Sequence, residues 1–217
     1  MRRLTAASFA FLEVCPMFAI QNKVLKEVVD WIMVIVIAVL AAFVIRKFLF
    51  TMVLVDGHSM DYTLADGDRL CVVKLNYKPD NGDIIVFDPY GDPSRPYIKR
   101  VIALSGQTVF VDEDGTVFVD GEALKEDYTG SVSNHGISFA ADAAGKPVRS
   151  DEPENISQWI IPTKDNPYKV PEGYIFVMGD NRANSRDSRD IGPVNKKDIV
   201  GEAVFRVYPF KTFGLLK

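Results

Sequence analysis

Two cysteines, Cys15 and Cys71, and two histidines, His58 and His135, are all that 217 residues provide of the side chains that build disulfide frameworks and zinc sites. The cysteines lie on opposite sides of one long apolar run, so they cannot pair if that run crosses a bilayer, and C-x-x-C spacing is absent. A zinc site would have to be assembled almost entirely from carboxylates, so we expect neither a metal nor another cofactor. An excess of positive charge is lacking too. Residues 1–51 carry six Lys or Arg against three acids, which leaves −7 on the remainder of a chain whose net charge is −4. That excludes nucleic acid as a partner of the larger part. Internal repeats are missing, and the length leaves room for one compact domain with a small inserted module beside a membrane segment.

What is present begins with that apolar run. Val28 to Ile45, VVDWIMVIVIAVLAAFVI, holds 18 residues with a single charge, Asp30, one turn from its start. This is about the length that crosses about 30 Å of hydrocarbon, with Trp31 placed for one interface and Arg46-Lys47 for the other. A core helix apolar on every face would need a larger core than the remaining chain can wrap around it. We therefore expect a transmembrane helix over 27–48, preceded by an N-terminal cytoplasmic or interfacial segment over 1–26. Within it, LTAASFAFLEVCPMFAI is broken by Glu13 and Pro16 and reads as interfacial. Basic residues close to the span are balanced, and the distant Arg2 and Arg3 tip the N-terminus inward. The C-terminal part then lies on the extracytoplasmic face.

Beyond the span the pattern changes. TMVLV, RLCVVKL, DIIVF, YIKRVIAL, TVFVD and YIFVMGD are short, β-branched and aromatic, and are separated by turns such as Ala65-Asp66-Gly67-Asp68 and Asn81-Gly82-Asp83. The spacing predicts a mainly β, antiparallel domain in two parts, 49–121 and 171–217. The weakly patterned stretch 122–170 is expected to be an inserted variable region.

In that domain VDGHSMDYTL carries one serine, Ser59, beside a histidine. Neighbouring side chains on an extended chain point to opposite faces, so His58 should face away from the Ser59 hydroxyl. A serine nucleophile needs a proton acceptor working near neutral pH: His, a carboxylate, or a neutral Lys. His135 falls in the weakly patterned region. Lys99 stands in the strand-like YIKRVIAL, where alternation puts Tyr97, Lys99 and Val101 on one face and Ile98, Arg100 and Ile102 on the other. If its face is buried, desolvation lowers its pKa from about 10.4 toward neutrality. The plain alternative for such a Lys is a solvated strand face.

VDGHSMDYTL, NGDIIVF, YIKRVIALSG and MGDNRANSRDSRDIGPV, in this order after one apolar span, resemble the successive boxes of the type I signal peptidases, membrane-bound Ser/Lys endopeptidases, in their single-span Gram-positive form. The resemblance implies Ser59 as nucleophile and Lys99 as general base, with the Ser59 backbone N–H in the oxyanion hole. It implies that Ser185 orients the lysine and that Asp180, Arg182, Asp187 and Arg189 form a polar scaffold beneath the site. Acids and arginines alternating in such a loop are suited to locking one another by bidentate pairing. Substrates would be signal-peptide-bearing preproteins cut after an Ala-x-Ala site, held by Val55, Met60, Leu64, Val86 and Ile98. The lipid bilayer is the second implied partner and the secretion translocon a further candidate. FLFTMVLV and VYPFKTFGLL are apolar enough to rest on a membrane surface.

The chain departs from the family at Gly57, where some members add a serine hydroxyl to the oxyanion hole, and at Tyr62, where proline is usual. Ala103 and Ser105 stand where Gly and Pro are common. Losing the proline predicts a less preorganised loop after the nucleophile. Two other readings compete: an inactive relative that binds signal peptides, and a self-cleaving Ser/Lys repressor-type protease, which predicts a DNA-binding domain where this chain has its apolar span.

Overall fold

The computed structural model describes residues 23–75, 77–130, 135–149 and 153–216. The expectations for residues 4–20 and Cys15 lie outside them. The chain divides into two units at Val44/Ile45.

The first unit carries most of helix α1, Lys23–Phe48. Its segment Lys23–Ile45 has mean hydropathy 2.9 and no face packed against protein. Val, Ile, Leu and Phe side chains exposed on all sides of a helix about 35 Å long require an apolar solvent, and the helix fits a membrane anchor.

The second unit is mainly β, as the turn spacing led us to expect. Its principal sheet contains β1 (Phe50–Leu54), β2 (Arg69–Val73), β3 (Ile84–Phe87), β4 (Tyr97–Ala103), then β11 (Tyr174–Met178), β12 (Val194–Asn195), β13 (Ile199–Tyr208) and β14 (Gly214–Leu215). The order is β1-β2-β13-β3-β4-β11-β12, with β14 also on β13, and every pairing is antiparallel. The pairing register shifts at three points along β13. Such irregularities bend a long strand, and the sheet curls into a half-barrel.

β4 lies between β3 and β11 and is buried on both faces, with Ile98 in one apolar cluster, Val101 in a second and Ile102 in a third. A strand in that position reads as an almost unbroken apolar run. Lys99 and Arg100 are the two exceptions in β4, which already marks them as residues needing partners.

Between β4 and β11 a smaller sheet forms from β5 (Thr108–Val111), β6 (Val117–Val119), β7 (Glu122–Ala123) and β10 (Tyr168–Lys169), ordered β10-β5-β6-β7. Phe110 and Phe118 are paired across the β5–β6 hairpin and their rings stack at 4.7 Å. A two-stranded sheet, β8 (Phe139–Ala141) and β9 (Gln158–Ile160), completes this part. Phe139, Ala141 and Tyr168 are buried with Ile102, Phe176 and Met178 of the principal sheet. The weak pattern over 122–170 therefore hides residues that share a core with β4 and β11.

Candidate active site

Ser59 lies in the turn that follows β1, a stretch closed by Asp61 N–H to His58 O and Leu64 N–H to Met60 O. Gly57 begins this turn with φ +101°, a backbone that side-chain-bearing residues enter only with strain. Its N–H is tied to Asp66 Oδ1 at 2.9 Å. The Ser59 carbonyl accepts from Asn181 N–H at 3.1 Å, and the Asn181 side-chain amide donates to His58 O at 2.9 Å. The serine turn is thus clasped by the loop after β11.

Lys99 reaches the turn from the centre of β4. Its Nζ lies 2.7 Å from Ser59 Oγ and donates to the carbonyl of Ile98 at 2.9 Å. The residue is only 4% exposed. Burial pulls its pKa down to about 8, with Arg189 adding to the fall, while Asp187 and Asp180 hold it back. Near physiological pH an amine at that value is still mostly protonated, but its neutral form is far more populated than in an ordinary lysine and can accept the serine proton. His58, by contrast, turns an exposed ring to Asp61 Oδ2 at 3.2 Å. His135 bonds Asp190 Oδ1 at 3.1 Å and lies 3.3 Å from Arg189, in a different part of the scaffold.

The loop 179–191 carries the charged residues singled out in the sequence, but its pairings are wider than alternation within the loop. Asp187 is fully buried and takes both sides of the Arg189 guanidinium, at 2.9 and 2.8 Å. It also accepts from Gly179 N–H and caps the short helix α2 (Ser188–Ile191). Burial alone would raise its pKa; the hydrogen bonds and charge of Arg189 more than offset this and hold it below the usual range. Asp180 takes its arginine from β4, with Arg100 Nε and Nη2 at 2.9 and 2.7 Å, and accepts from Thr63 Oγ1 at 2.5 Å. Arg182 pairs with Glu126, from the segment after β7, and Tyr128 of that segment lays its ring 3.9 Å from the Arg100 guanidinium.

Ser185 is buried beside the pair, yet its hydroxyl makes no hydrogen bond to Lys99 or to any other described group. Its closeness to Asp187 adds to the pull on that carboxyl without reaching hydrogen-bonding geometry. Gly179 separates Ser185 from the Ser59 turn. A Cβ built there would stand 2.2 Å from Ser185 Oγ and 2.4 Å from Ser59 O.

A cleft of about 750 Å³ opens over Ser59 and Lys99, with Val55, Met60 and Ile98 in its lining. Leu64 and Val86 are not in the lining. They are buried in the apolar cluster that also contains Val55, Met60 and Ile98 and support the floor from within. Among the described residues no group of three or more His, Cys, Asp or Glu side chains gathers as a metal site would require.

Sequence reasoning passed over Arg100, Thr63, Glu126, Gly179, Asn181 and Ser188, whose Oγ accepts from Val177 N–H at 3.0 Å. For Arg100 a signal existed: a second charge beside Lys99 in an apolar strand, facing the opposite side, has to be matched by a buried acid. The departures from the family pattern are accommodated locally. Ala103 is fully buried in the ladder, and the Ser105 hydroxyl donates to Tyr174 O at 2.7 Å. Tyr62 adopts φ +84°, which proline cannot reach, so the expectation that proline here would preorganise the turn does not apply to this backbone.

Residues 28–208 match the family described as signal peptidase, peptidase S26. The curated signal peptidase I of Bacillus licheniformis is 39% identical over 186 residues, covering 83% of this chain and 89% of that one. Signal peptidase IB of Staphylococcus aureus strain COL is 33% identical over 193 residues, 87% of this chain and 93% of that one. A crystal structure of a signal peptidase I from Enterococcus faecalis V583 is 33% identical and covers 58% of this chain and 97% of its own, with a TM-score of 0.38. With a match that runs from the apolar helix to the last residue of β13, the chain belongs to the signal peptidase family, peptidase S26, and is a serine endopeptidase of the signal peptidase I type.

Proposed function

We propose that this chain is anchored by α1 with its N-terminus in the cytoplasm, and removes signal peptides from exported preproteins on the extracytoplasmic face by cutting after an Ala-x-Ala site. The observation that carries the reading is the 2.7 Å approach of a buried Lys99 Nζ to Ser59 Oγ. The neutral amine takes the hydroxyl proton as Oγ bonds to the scissile carbonyl carbon. The developing oxyanion sits at the Ser59 N–H, which donates to no described group; Gly57 contributes no hydroxyl there. Lys99 returns the proton to the amine as the C–N bond breaks. It then takes a proton from the water that attacks the ester, and Oγ leaves as a hydroxyl again.

Asp180, Arg182, Asp187 and Arg189 act by holding the loop against the serine turn, and Ser185 by packing at Gly179, on the far side of which lies the Ser59 carbonyl. Val55, Met60 and Ile98, backed by Leu64 and Val86, leave shallow apolar hollows suited to the small residues on the signal-peptide side of the cut. Residues 49–121 and 171–217 serve as the catalytic β domain, with 122–170 as its insert. Phe50, Met52, Leu54, Phe210, Phe213 and Leu215 are exposed apolar side chains fit to rest on lipid, near emerging signal peptides and the translocon.

The test is cleavage of an Ala-x-Ala preprotein by the detergent-purified full chain, with the cut mapped by mass. We expect a cut after the second Ala, reduced at least about 10³-fold by Ser59→Ala and by Lys99→Ala. A folded protein that binds the preprotein without cutting it contradicts the reading in favour of a binding relative.

A further inference from the structure

The cleft over Ser59 and Lys99 has two chemically different ends. One is apolar, with Val53, Val55, Met60 and Ile98. At the other, Arg95 and Arg186 line the same cleft, and both are exposed. A second hollow of about 330 Å³ shares Arg95, Tyr97 and Arg186 with the cleft but none of the apolar residues, and adds Tyr90, Asp92 and Arg149. The site therefore continues past the arginines, away from the apolar end. Arg95 and Arg186 form no ion pair with any described acid. Among the described residues the acids lining these hollows are Asp56 in the cleft and Asp92 in the second hollow, where Arg95 and Arg186 face the single Asp92. This cluster of arginines stands out because residues 52–217 carry a net charge of −7. Arg149 lies over the Tyr90 ring at 5.5 Å, which fixes it at the far wall.

We infer that Arg95 and Arg186 form a specificity site for acidic side chains in the first few residues after the scissile bond, so that preproteins whose mature part begins with Asp or Glu are the favoured substrates. This rests on the signal-peptide-cleaving reading, which assigns the apolar end to small residues before the cut and leaves the arginine end to those after it. An extended substrate advances about 3.3 Å per residue, and the residues just past the cut are the ones that run toward the arginine end. Guanidinium groups suit the task because they pair with carboxylates in two parallel hydrogen bonds.

The test uses two peptides identical through the Ala-x-Ala site and carrying either Asp-Asp or Asn-Asn immediately after it, cut by the full chain in detergent. The readout is the ratio of their kcat/KM values, which cancels any general loss of activity. We expect the acidic peptide to be favoured about threefold or more at low salt, the size of effect exposed charge pairs supply. The ratio should fall toward one at about 1 M salt, where screening acts within about 3 Å, and in the Arg95→Gln/Arg186→Gln double variant. Equal rates in the parent, or a preference that survives in the double variant, overturns the inference while leaving the peptidase reading intact. Failure to cut either peptide removes both.

Discussion

At the residue scale, the turn holding Ser59 depends on backbone conformations as much as on side chains. Tyr62 sits at φ +84° with its ring against Gly130, and proline is locked near −65°. Tyr62→Pro must therefore flip the turn, and we expect it to destabilise the protein by about 2 kcal/mol or more and to lower kcat/KM. Tyr62→Gly keeps the conformation and should cost less than the proline change. Urea midpoints of the two variants check the order, and a Pro variant as stable as the parent contradicts the observed turn. The distinction was not legible in the sequence, because a family pattern of S-M-x-P-T-L gives the usual residue but not the dihedral angle that a different residue selects. Ser59 and Lys99 were legible as candidates from the order of the boxes they stand in, and Lys99 also as a charge within an apolar, strand-like run. The acids that act on Lys99 were not, since Asp180 and Asp187 are brought near it only by the fold.

At the scale of elements, the tie between β4 and the loop after β11 is the buried Arg100–Asp180 pair. Removing one partner from such a pair leaves a desolvated charge, so Asp180→Ala should cost about 3–5 kcal/mol. Asp127→Ala, which breaks the exposed Lys125–Asp127 pair, should leave the urea midpoint unchanged. Equal midpoints for the two variants would mean that the Arg100–Asp180 contact does not hold the loop. Most strands were readable from alternating β-branched residues, and the mainly antiparallel domain is borne out. The strand that joins the sheet together was the hardest to see. In β13 the residues packed closely against neighbours are Gly201 and Ala203, and Glu202 and Arg206 interrupt the apolar rhythm, so its ten residues lack the signature that marks β3. Conversely, β5 and β6 read well as strands, but nothing in TVFVDEDGTVFVD tells that they pair with β10 and β7 and not with the principal sheet.

At the scale of the whole molecule, the fold lets a lysine surrender its charge. β4 is covered on both faces by three apolar clusters, so desolvation is the largest influence on Lys99, and the nearby acids only partly oppose it. The apolar helix, the family and the β domain could be read locally, from runs of residue type and from box order. The depressed basicity of Lys99 could not, because it belongs to the packed sheet. It also yields the most direct test: the pH dependence of kcat/KM for cleavage of an Ala-x-Ala preprotein by the full chain. A lysine must be deprotonated to act as base, so the rate should fall about tenfold per pH unit below a half-maximum near 8 and level off above it. A half-maximum near 6.5 that disappears in His58→Gln would instead place the base in an imidazole and contradict the Ser59–Lys99 account.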